Sequence, residues 1–227
     1  MMKGKTAKSV KGVMTAVVLF GASIIAAPQL LAFPYQTQIG TTTVYSEQPV
    51  NVPALAQLLN RTEKLLKASS IYQSPPAVRI FLTDGGWRWR LLSLTNHGSF
   101  ALTRAFSALV SQAVLVNRSN HRRDLVYNGG KMGGQRTLSG VIAHERTHMM
   151  LRRHFGQIRA AGFKRWKSEG YCDHVAQESA LTAEEVARLN AKGQNHPALL
   201  YYDGRQKVEA ILARNGGSVD ALFDSSQ

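Results

Sequence analysis

The chain contains little cysteine and little negative charge. Cys172 is the single cysteine among 227 residues, which excludes an intramolecular disulfide framework and a C-x-x-C metal site. Only 14 residues are Asp or Glu, against 28 that are Lys or Arg, and the formal net charge is +14. A content of 44% hydrophobic and 19% charged residues is nevertheless typical of a globular chain. We therefore expect one domain with an ordinary core and a basic surface.

The first 33 residues have the layout of a secretion signal. Positive charge at the start comes from Lys3, Lys5, Lys8 and Lys11. An apolar run covers residues 13–27 and resumes up to residue 33, and these 21 residues are enough to span a bilayer. We interpret residues 1–33 as a signal peptide or an N-terminal membrane anchor. Residues 34–227 are then one exported domain, anchored in the inner membrane and facing the periplasm, or secreted. A buried core helix with a basic lead-in is the alternative.

The basic surface favours anionic partners. For an exported protein, anionic envelope polymers or lipid head groups rank ahead of nucleic acid, and residues 13–33 offer a means of membrane association. A solvated basic face with no partner explains the charge equally well.

Predicted strands come first along the chain and predicted helices afterwards. Strands are expected over residues 40–50, 77–84, 112–119 and 124–128, where β-branched and aromatic residues alternate or cluster. Helices are expected over residues 51–69, 183–192 and 204–214, from the leucine spacing, a Thr182/Glu185 capping box and a stop at Gly193. This order predicts an α+β domain, with an N-terminal mixed sheet and a helical C-terminal part.

A possible metal site lies in the stretch "SGVIAHERTHMMLRRHFG", where His144-Glu145-Arg146-Thr147-His148 matches H-E-x-x-H. Residues four apart lie one turn apart on the same face of a helix, so both imidazoles can point at one ion. Glu145 lies about 100° round from His144 and can reach a water molecule there without binding the metal. The pattern therefore predicts zinc hydrolysis, which needs a third protein ligand.

His154 is the first candidate for that ligand, since it stands where metzincins have their third histidine. The metzincin pattern needs a glycine at the position that Leu151 fills, and leucine favours continuing the helix. In a continued helix His154 faces about 240° away from His148. We expect the helix to end at Gly156 and His154 to interact with its C-terminus.

The better candidate lies in "FKRWKSEGYCDHVAQES". Its W-x-x-E-G segment, Trp166 to Gly170, resembles that of gluzincin zinc metallopeptidases, the peptidase-MA-like proteins. The resemblance covers roughly residues 137–179 and implies a small zincin-like domain in which an active-site helix follows the sheet. It implies that Glu169 completes a Zn²⁺ site with His144 and His148. It also implies that Asp173 hydrogen-bonds the first histidine and so fixes its tautomer.

The resemblance further implies an enzyme of the cell envelope that hydrolyses peptide bonds in a peptide or protein substrate. Glu145 is then the general base, acting on water activated by the metal. Tyr201 and Tyr202 are candidates for the oxyanion donor, with Tyr171 a weaker one, although all three can equally be packing residues. In such enzymes a strand beside the site pairs with extended substrate, and we assign residues 112–119 to that strand.

Two other readings of the same residues stay open. One is a catalytically inactive peptidase-like domain, stabilised by zinc or metal-free, that binds an anionic envelope partner. The other is a basic protein associated with membrane or nucleic acid, in which the metal-ligand pattern is incidental. Cys172 and His174 have the chemistry of ligands, but we expect the cysteine in the core and the histidine at the surface.

Overall fold

The fold combines a mixed sheet in the first half of the chain with helices in the second. The computed structural model describes Thr15, Ser23 and residues 27–74, 77–103 and 112–224. Most of the predicted leader, residues 1–33, therefore lies outside the described residues. Within the described part of the chain, the length and apolar character that a membrane-crossing helix needs are not found in any helix.

Two sheets are present in the described residues. The larger has five strands in the order β1-β2-β3-β5-β4, and the smaller has three in the order β6-β7-β8. β3 lies parallel to both of its neighbours, β2 and β5, whereas β1 and β4 run antiparallel at the two edges. The strands are β1 Tyr35–Ile39, β2 Thr42–Ser46, β3 Val78–Leu82, β4 Ala101–Thr103, β5 Gln112–Val116, β6 Arg118–Asn120, β7 Leu125–Tyr127 and β8 Gln135–Thr137.

Eight α-helices lie in the described residues, after a 3₁₀ turn at Pro28–Leu31. The longest are α1, α3 and α7, and the last six helices, α3 to α8, follow one another with no strand between them. The helices are α1 Val52–Lys67, α2 Trp87–Ser93, α3 Leu138–Phe155, α4 Gln157–Ala161, α5 Arg165–Ala176, α6 Ala183–Ala191, α7 Leu199–Arg214 and α8 Val219–Asp224.

Local sequence accounts for where several helices begin and end. The side chain of Asn51 caps α1 by accepting a hydrogen bond from the Ala54 amide at 3.0 Å. Thr182 and Glu185 form the predicted capping box of α6. Gly156, with φ 84°, ends α3 as predicted, because its left-handed backbone does not continue a helix.

The large sheet buries both of its faces. One face packs against α1 and α3 through alternate strand residues such as Val44 and Ile80. The opposite face packs against α2, and Leu31 and Phe33 join this layer. The segment from Pro28 onward therefore belongs to the folded domain, since Arg88 also donates hydrogen bonds to the Leu31 and Ala32 carbonyl groups at the end of this turn.

A second core lies between the helices. It contains apolar residues of α3, α5, α7 and α8, together with Leu66 from the end of α1. α3 contributes several residues to this core and to the core beneath the sheet, so it joins the two halves, as α1 does through Leu66.

The helix predicted over residues 204–214 begins earlier and is not the last one. α7 starts at Leu199, and Gly204 lies buried inside it rather than at its start. A glycine in a helix interior normally argues against the helix, but this one is needed for close packing against α5, as described below. After Gly216 and Gly217, the Ser218 hydroxyl accepts a hydrogen bond from Ala221 and starts α8.

The assignment of residues 112–119 as the strand that pairs with substrate is also wrong. Residues 112–119 form two strands, β5 and β6, and β5 lies between β3 and β4 in the sheet. Both of its backbone edges are occupied by these neighbours, so β5 has no edge to offer a peptide. The edge strand next to it is β4, which the sequence did not predict.

Candidate metal centre

Helix α3 holds the H-E-x-x-H residues in the centre of the fold. Thr137 caps the helix by accepting a hydrogen bond from the Gly140 amide at 3.1 Å. His144 and His148 follow one turn apart on one face, with ring centroids 5.0 Å apart and ring planes at 76°. His144 is buried and His148 partly so, and both line a cavity of about 570 Å³.

Helix α5 brings Glu169 to the same point. Its Oε2 lies 3.2 Å from His144 Nε2 and 3.4 Å from His148 Nε2. In a tetrahedral zinc site with bonds of about 2.0–2.1 Å, neighbouring ligand atoms are about 3.3 Å apart. The two distances from the carboxylate to the imidazoles are therefore close to those between ligands of a zinc ion, and all three side chains line the cavity.

The Nδ1 nitrogen of His144 is hydrogen-bonded to a buried carboxylate. Asp173 Oδ1 lies 2.7 Å from His144 Nδ1 and 3.0 Å from Arg136 Nη2. Arg136 is buried and also pairs with Glu178 at 3.1 Å. A carboxylate in this position keeps the proton on Nδ1 and turns Nε2 toward the cavity.

Arg136 is a residue that the sequence reasoning missed. It stands at the centre of β8, far along the chain from its partner Asp173, and nothing in its neighbours signals a buried ion pair. The one available hint was that a buried aspartate requires a cationic or hydrogen-bonded partner.

The ionisation of these groups follows from their contacts. Burial disfavours the charged form of His144, but hydrogen bonds to Asp173 and Glu169 outweigh it and raise its pKa to about 10. Burial likewise acts to raise the pKa of Glu169, and hydrogen bonds from both histidines hold that pKa far below its usual range. For Asp173, the charge of Arg136 and the hydrogen bond from His144 overcome burial and lower the pKa. Both carboxylates are therefore ionised at neutral pH.

Glu145 lies beside the two histidines without joining their cluster. It is buried, lines the same cavity, and its Oε2 accepts a hydrogen bond from the Thr103 hydroxyl at 2.7 Å. Thr103 also donates to the Glu145 carbonyl group at 3.1 Å. Strand β4 thus fixes the orientation of this carboxylate at the cavity wall.

The backbones of α5 and α7 meet at two glycines. A Cβ atom on Gly170 would overlap the backbone of Gly204, and one on Gly204 would lie 2.6 Å from the Trp166 carbonyl oxygen. This close approach brings the first turn of α7, with Tyr201, toward Glu169.

The two candidate tyrosines have different surroundings. The Tyr201 ring lies 6.3 Å from the His144 ring, and its hydroxyl accepts a hydrogen bond from Arg165 Nη2 at 3.1 Å. Burial and the Glu169 carboxylate raise its pKa, so the phenol keeps its proton at neutral pH. Tyr202 instead packs against Leu181, Val186 and Leu189 in a separate apolar cluster. The structure therefore brings Tyr201, and not Tyr202, to the cavity.

The remaining candidates lie elsewhere. Tyr171 is buried in the helical core, where its hydroxyl bonds that of Ser69 at 2.7 Å. His154, in the last turn of α3, pairs with Asp220 at 2.8 Å. His174 is partly exposed and lies 3.4 Å from Glu209.

Cys172 lies in the helical core and also close to the two histidines. Its side chain is buried in the helical core, as predicted, and its sulfur also lies within 4.8 Å of nitrogen atoms of His144 and His148. Burial, and after it the charges of nearby carboxylates, raise the pKa of the thiol well above its usual value. By its position Cys172 is therefore a candidate metal ligand beside His144 and His148, and Glu169 is another.

Comparisons of the chain with protein-family models, with curated proteins and with solved structures give no match. The resemblance to gluzincins therefore depends on the site residues themselves.

Proposed function

We propose that the protein is a zinc-dependent peptide hydrolase with a zincin-like fold of the gluzincin type. His144, His148 and Glu169 would hold the zinc ion. The observation that carries the proposal is the position of Glu169 Oε2, 3.2 and 3.4 Å from the two Nε2 atoms. A carboxylate from one helix and two imidazoles from another thus converge on one point beside a cavity, as the protein ligands of a zinc ion do.

The chain supplies the groups that the reaction needs. A zinc ion held by His144, His148 and Glu169 would supply Lewis acidity toward the substrate carbonyl and toward water. Glu145 takes the proton from the attacking water and passes it to the leaving amine. Because the Tyr201 hydroxyl already accepts a hydrogen bond from Arg165, its own proton is free to stabilise the developing oxyanion.

Strand β4 is the proposed binding edge for the substrate backbone. In the described part of the chain it pairs with β5 alone, and Ala101, Leu102 and Thr103 all line the cavity. An extended peptide added along this edge would pass Glu145, which Thr103 contacts directly.

Zinc content and turnover of one variant test the proposal. The purified protein is expected to hold one zinc ion per chain and to cleave members of a mixed peptide pool. The Glu145→Gln variant should keep its zinc and lose about 10²-fold or more of its activity, since a general base contributes 10²–10⁴-fold. Activity that survives this substitution would exclude Glu145 as the base.

Two further variants test the ligand set. Glu169→Ala should weaken zinc binding, which is measured by competition with a chromophoric chelator. His154→Ala is the matched control, since it removes a nearby histidine that pairs with Asp220, and zinc affinity should not change. The opposite pattern would favour the metzincin-like arrangement.

A second candidate function has one observation in its favour. Because the Cys172 sulfur is within 4.8 Å of both imidazoles, it offers a fourth protein ligand beside Glu169. A site closed by four protein ligands is structural rather than catalytic, as in an inactive peptidase-like domain that binds an anionic envelope partner. Stoichiometric zinc without turnover of any peptide would favour this candidate.

We also propose that the domain works outside the cytoplasm, either anchored by its N-terminal segment or secreted. The support is the basic, apolar leader sequence and the excess of positive charge. Fractionation of cells expressing the full chain is the direct test.

A further inference from the structure

A second cavity lies next to the candidate metal centre. Its volume is about 580 Å³, and it shares three wall residues with the first cavity, namely His148, Arg152 and Arg165. Beyond them the wall is largely apolar, formed by residues such as Leu151 and Phe163. The two arginines and His148 therefore border both the candidate metal centre and an apolar pocket.

Arg152 occupies a particular place on α3. It follows His148 by one helical turn, as His148 follows His144, so all three side chains share one face. Its Nη1 atom is buried and has no hydrogen-bond partner among the described residues. Arg165, on the facing helix, donates to Tyr201 and lies 4.0 Å from Glu169.

Arg152 differs from neighbouring arginines, which form ion pairs with acidic residues. Arg136 pairs with Asp173 and Glu178, and Arg146, on the same helix, pairs with Glu63. In the described residues Arg152 has no ion pair with an acidic group. A buried guanidinium atom without a partner is costly, and a carboxylate that binds two of its N–H groups is the partner that best fits its geometry.

We propose that Arg152 binds a carboxylate of the substrate, and that the second cavity receives an apolar group attached to it. This inference rests on the proposed function, because it assigns the substrate class of the same site. A peptide whose C-terminal residue is apolar carries both groups in the required proximity. An acidic side chain next to an apolar residue offers the same chemistry from a second source.

Binding of three short probes distinguishes these cases. The probes are acetyl-Ala-Phe as the free acid, acetyl-Ala-Phe-amide, and acetyl-Phe-Glu-amide, whose carboxylate is on a side chain. Each is titrated by calorimetry into the zinc-loaded, full-length Glu145→Gln protein, which should not turn them over. This experiment measures binding and not cleavage, so it tests the inference alone. Failure of the proposed function would show instead in the separate peptide-cleavage assay.

The free acid is expected to bind about 10- to 100-fold more tightly than its amide, the range for a hydrogen bond between charged groups. Adding Arg152→Gln should reduce the ratio to about one. Arg152→Lys should keep part of the preference, and thermal melts report whether each variant folds. Arg153→Gln is the matched control, because it removes an equal charge from an exposed neighbour and should leave the ratio unchanged.

The outcomes separate clearly. Tightest binding of the side-chain probe, again dependent on Arg152, would support carboxylate recognition and move its source to an acidic residue. Equal binding of acid and amide, or a preference that Arg152→Gln leaves intact, would overturn the inference.

Discussion

Tyr201 and Tyr202 are adjacent in sequence and lie in different environments. Tyr201 faces the cavity beside His144, whereas Tyr202 packs into an apolar cluster with Leu181 and Leu189. Sequence alone gave no means to choose between them, because both carry the same phenol. The choice follows from the helical start of α7, which turns consecutive residues about 100° apart.

This pair provides a test within one turn of helix. Tyr201→Phe is expected to lower kcat about 10²-fold while KM changes little, since the hydroxyl acts on charge that develops in the transition state. Tyr202→Phe removes the same atom from the neighbouring residue and should leave kcat within about two-fold. Steady-state kinetics on the best peptide of the pool measure both. Equal losses in the two variants would argue against Tyr201 as the oxyanion donor.

The site residues show which contacts can be predicted from sequence. Glu169 and Asp173 lie one turn apart on α5, so their spacing predicts a shared helix face, whereas their contacts with the α3 histidines were implied by the resemblance to gluzincins. Arg136 was not predictable in this way, because its contact with Asp173 joins β8 to α5 across the fold. Arg152 was visible only as part of the general basic character, since its lack of a partner is a property of the structure.

The crossing of α5 and α7 lies next to the site. Gly170 and Gly204 let the two backbones touch, and Glu169 and Tyr201 lie within one turn of this contact. In sequence, Gly204 looked like the start of a helix rather than its interior. The prediction failed there because sequence alone does not distinguish a glycine required by helix packing from a glycine at a helix boundary.

A methyl group at this crossing should separate the helices. Gly170→Ala is expected to destabilise the fold by about 1–3 kcal/mol, as over-packing does, which corresponds to a fall in Tm of roughly 2–12 °C. Zinc affinity should fall as well, because Glu169 moves with the helix. Gly162→Ala is the control, since φ there is −85° and the nearest atom to an added Cβ is 3.5 Å away.

That control separates packing from the general effect of replacing a glycine by alanine in a helical region. It should shift Tm by no more than about 1 °C, because it meets only ordinary contacts. Thermal denaturation of the two variants side by side makes the comparison. If Gly170→Ala melts with the wild type, the close approach of α5 and α7 is not required for stability.

Strands were predicted unevenly. β2, β3, β5 and β7 fall within predicted stretches, because each carries β-branched or aromatic residues. β1 and β8 were not predicted, since Gln, Thr and Arg make up most of their residues, and neither was the short β4. These strands form because a neighbouring strand already offers backbone partners. The position of β5 inside the sheet is likewise a property of strand order, which composition does not determine.

In the whole molecule, the candidate centre lies where two cores meet. α3 takes part in the core beneath the sheet and in the helical core, whereas the buried residues of α5 belong to the helical core alone. An ion bound by His144 and His148 of α3 and by Glu169 of α5 would link the two helices directly. The strands-then-helices order was predictable from sequence, but the joining role of α3 was not, because it depends on burial around nearly the whole helix.

Removal of zinc should therefore destabilise the whole domain. With zinc about 1,000-fold above its Kd, binding to the folded state alone adds about 4 kcal/mol. For a domain of this size a chelator should then lower Tm by roughly 8–16 °C. Differential scanning calorimetry with and without the chelator measures the shift.

Two variants show whether that shift comes from this site. His148→Ala removes one ligand, so its melting temperature should already be low and should respond little to the chelator. His154→Ala retains the proposed ligands and should show the full shift, because its partner Asp220 lies in α8. If the protein holds one zinc ion and yet melts at the same temperature after chelation, the ion does not link α3 and α5. The proposed ligand set would then be wrong, because an ion shared by two helices of a common core stabilises the folded state that binds it.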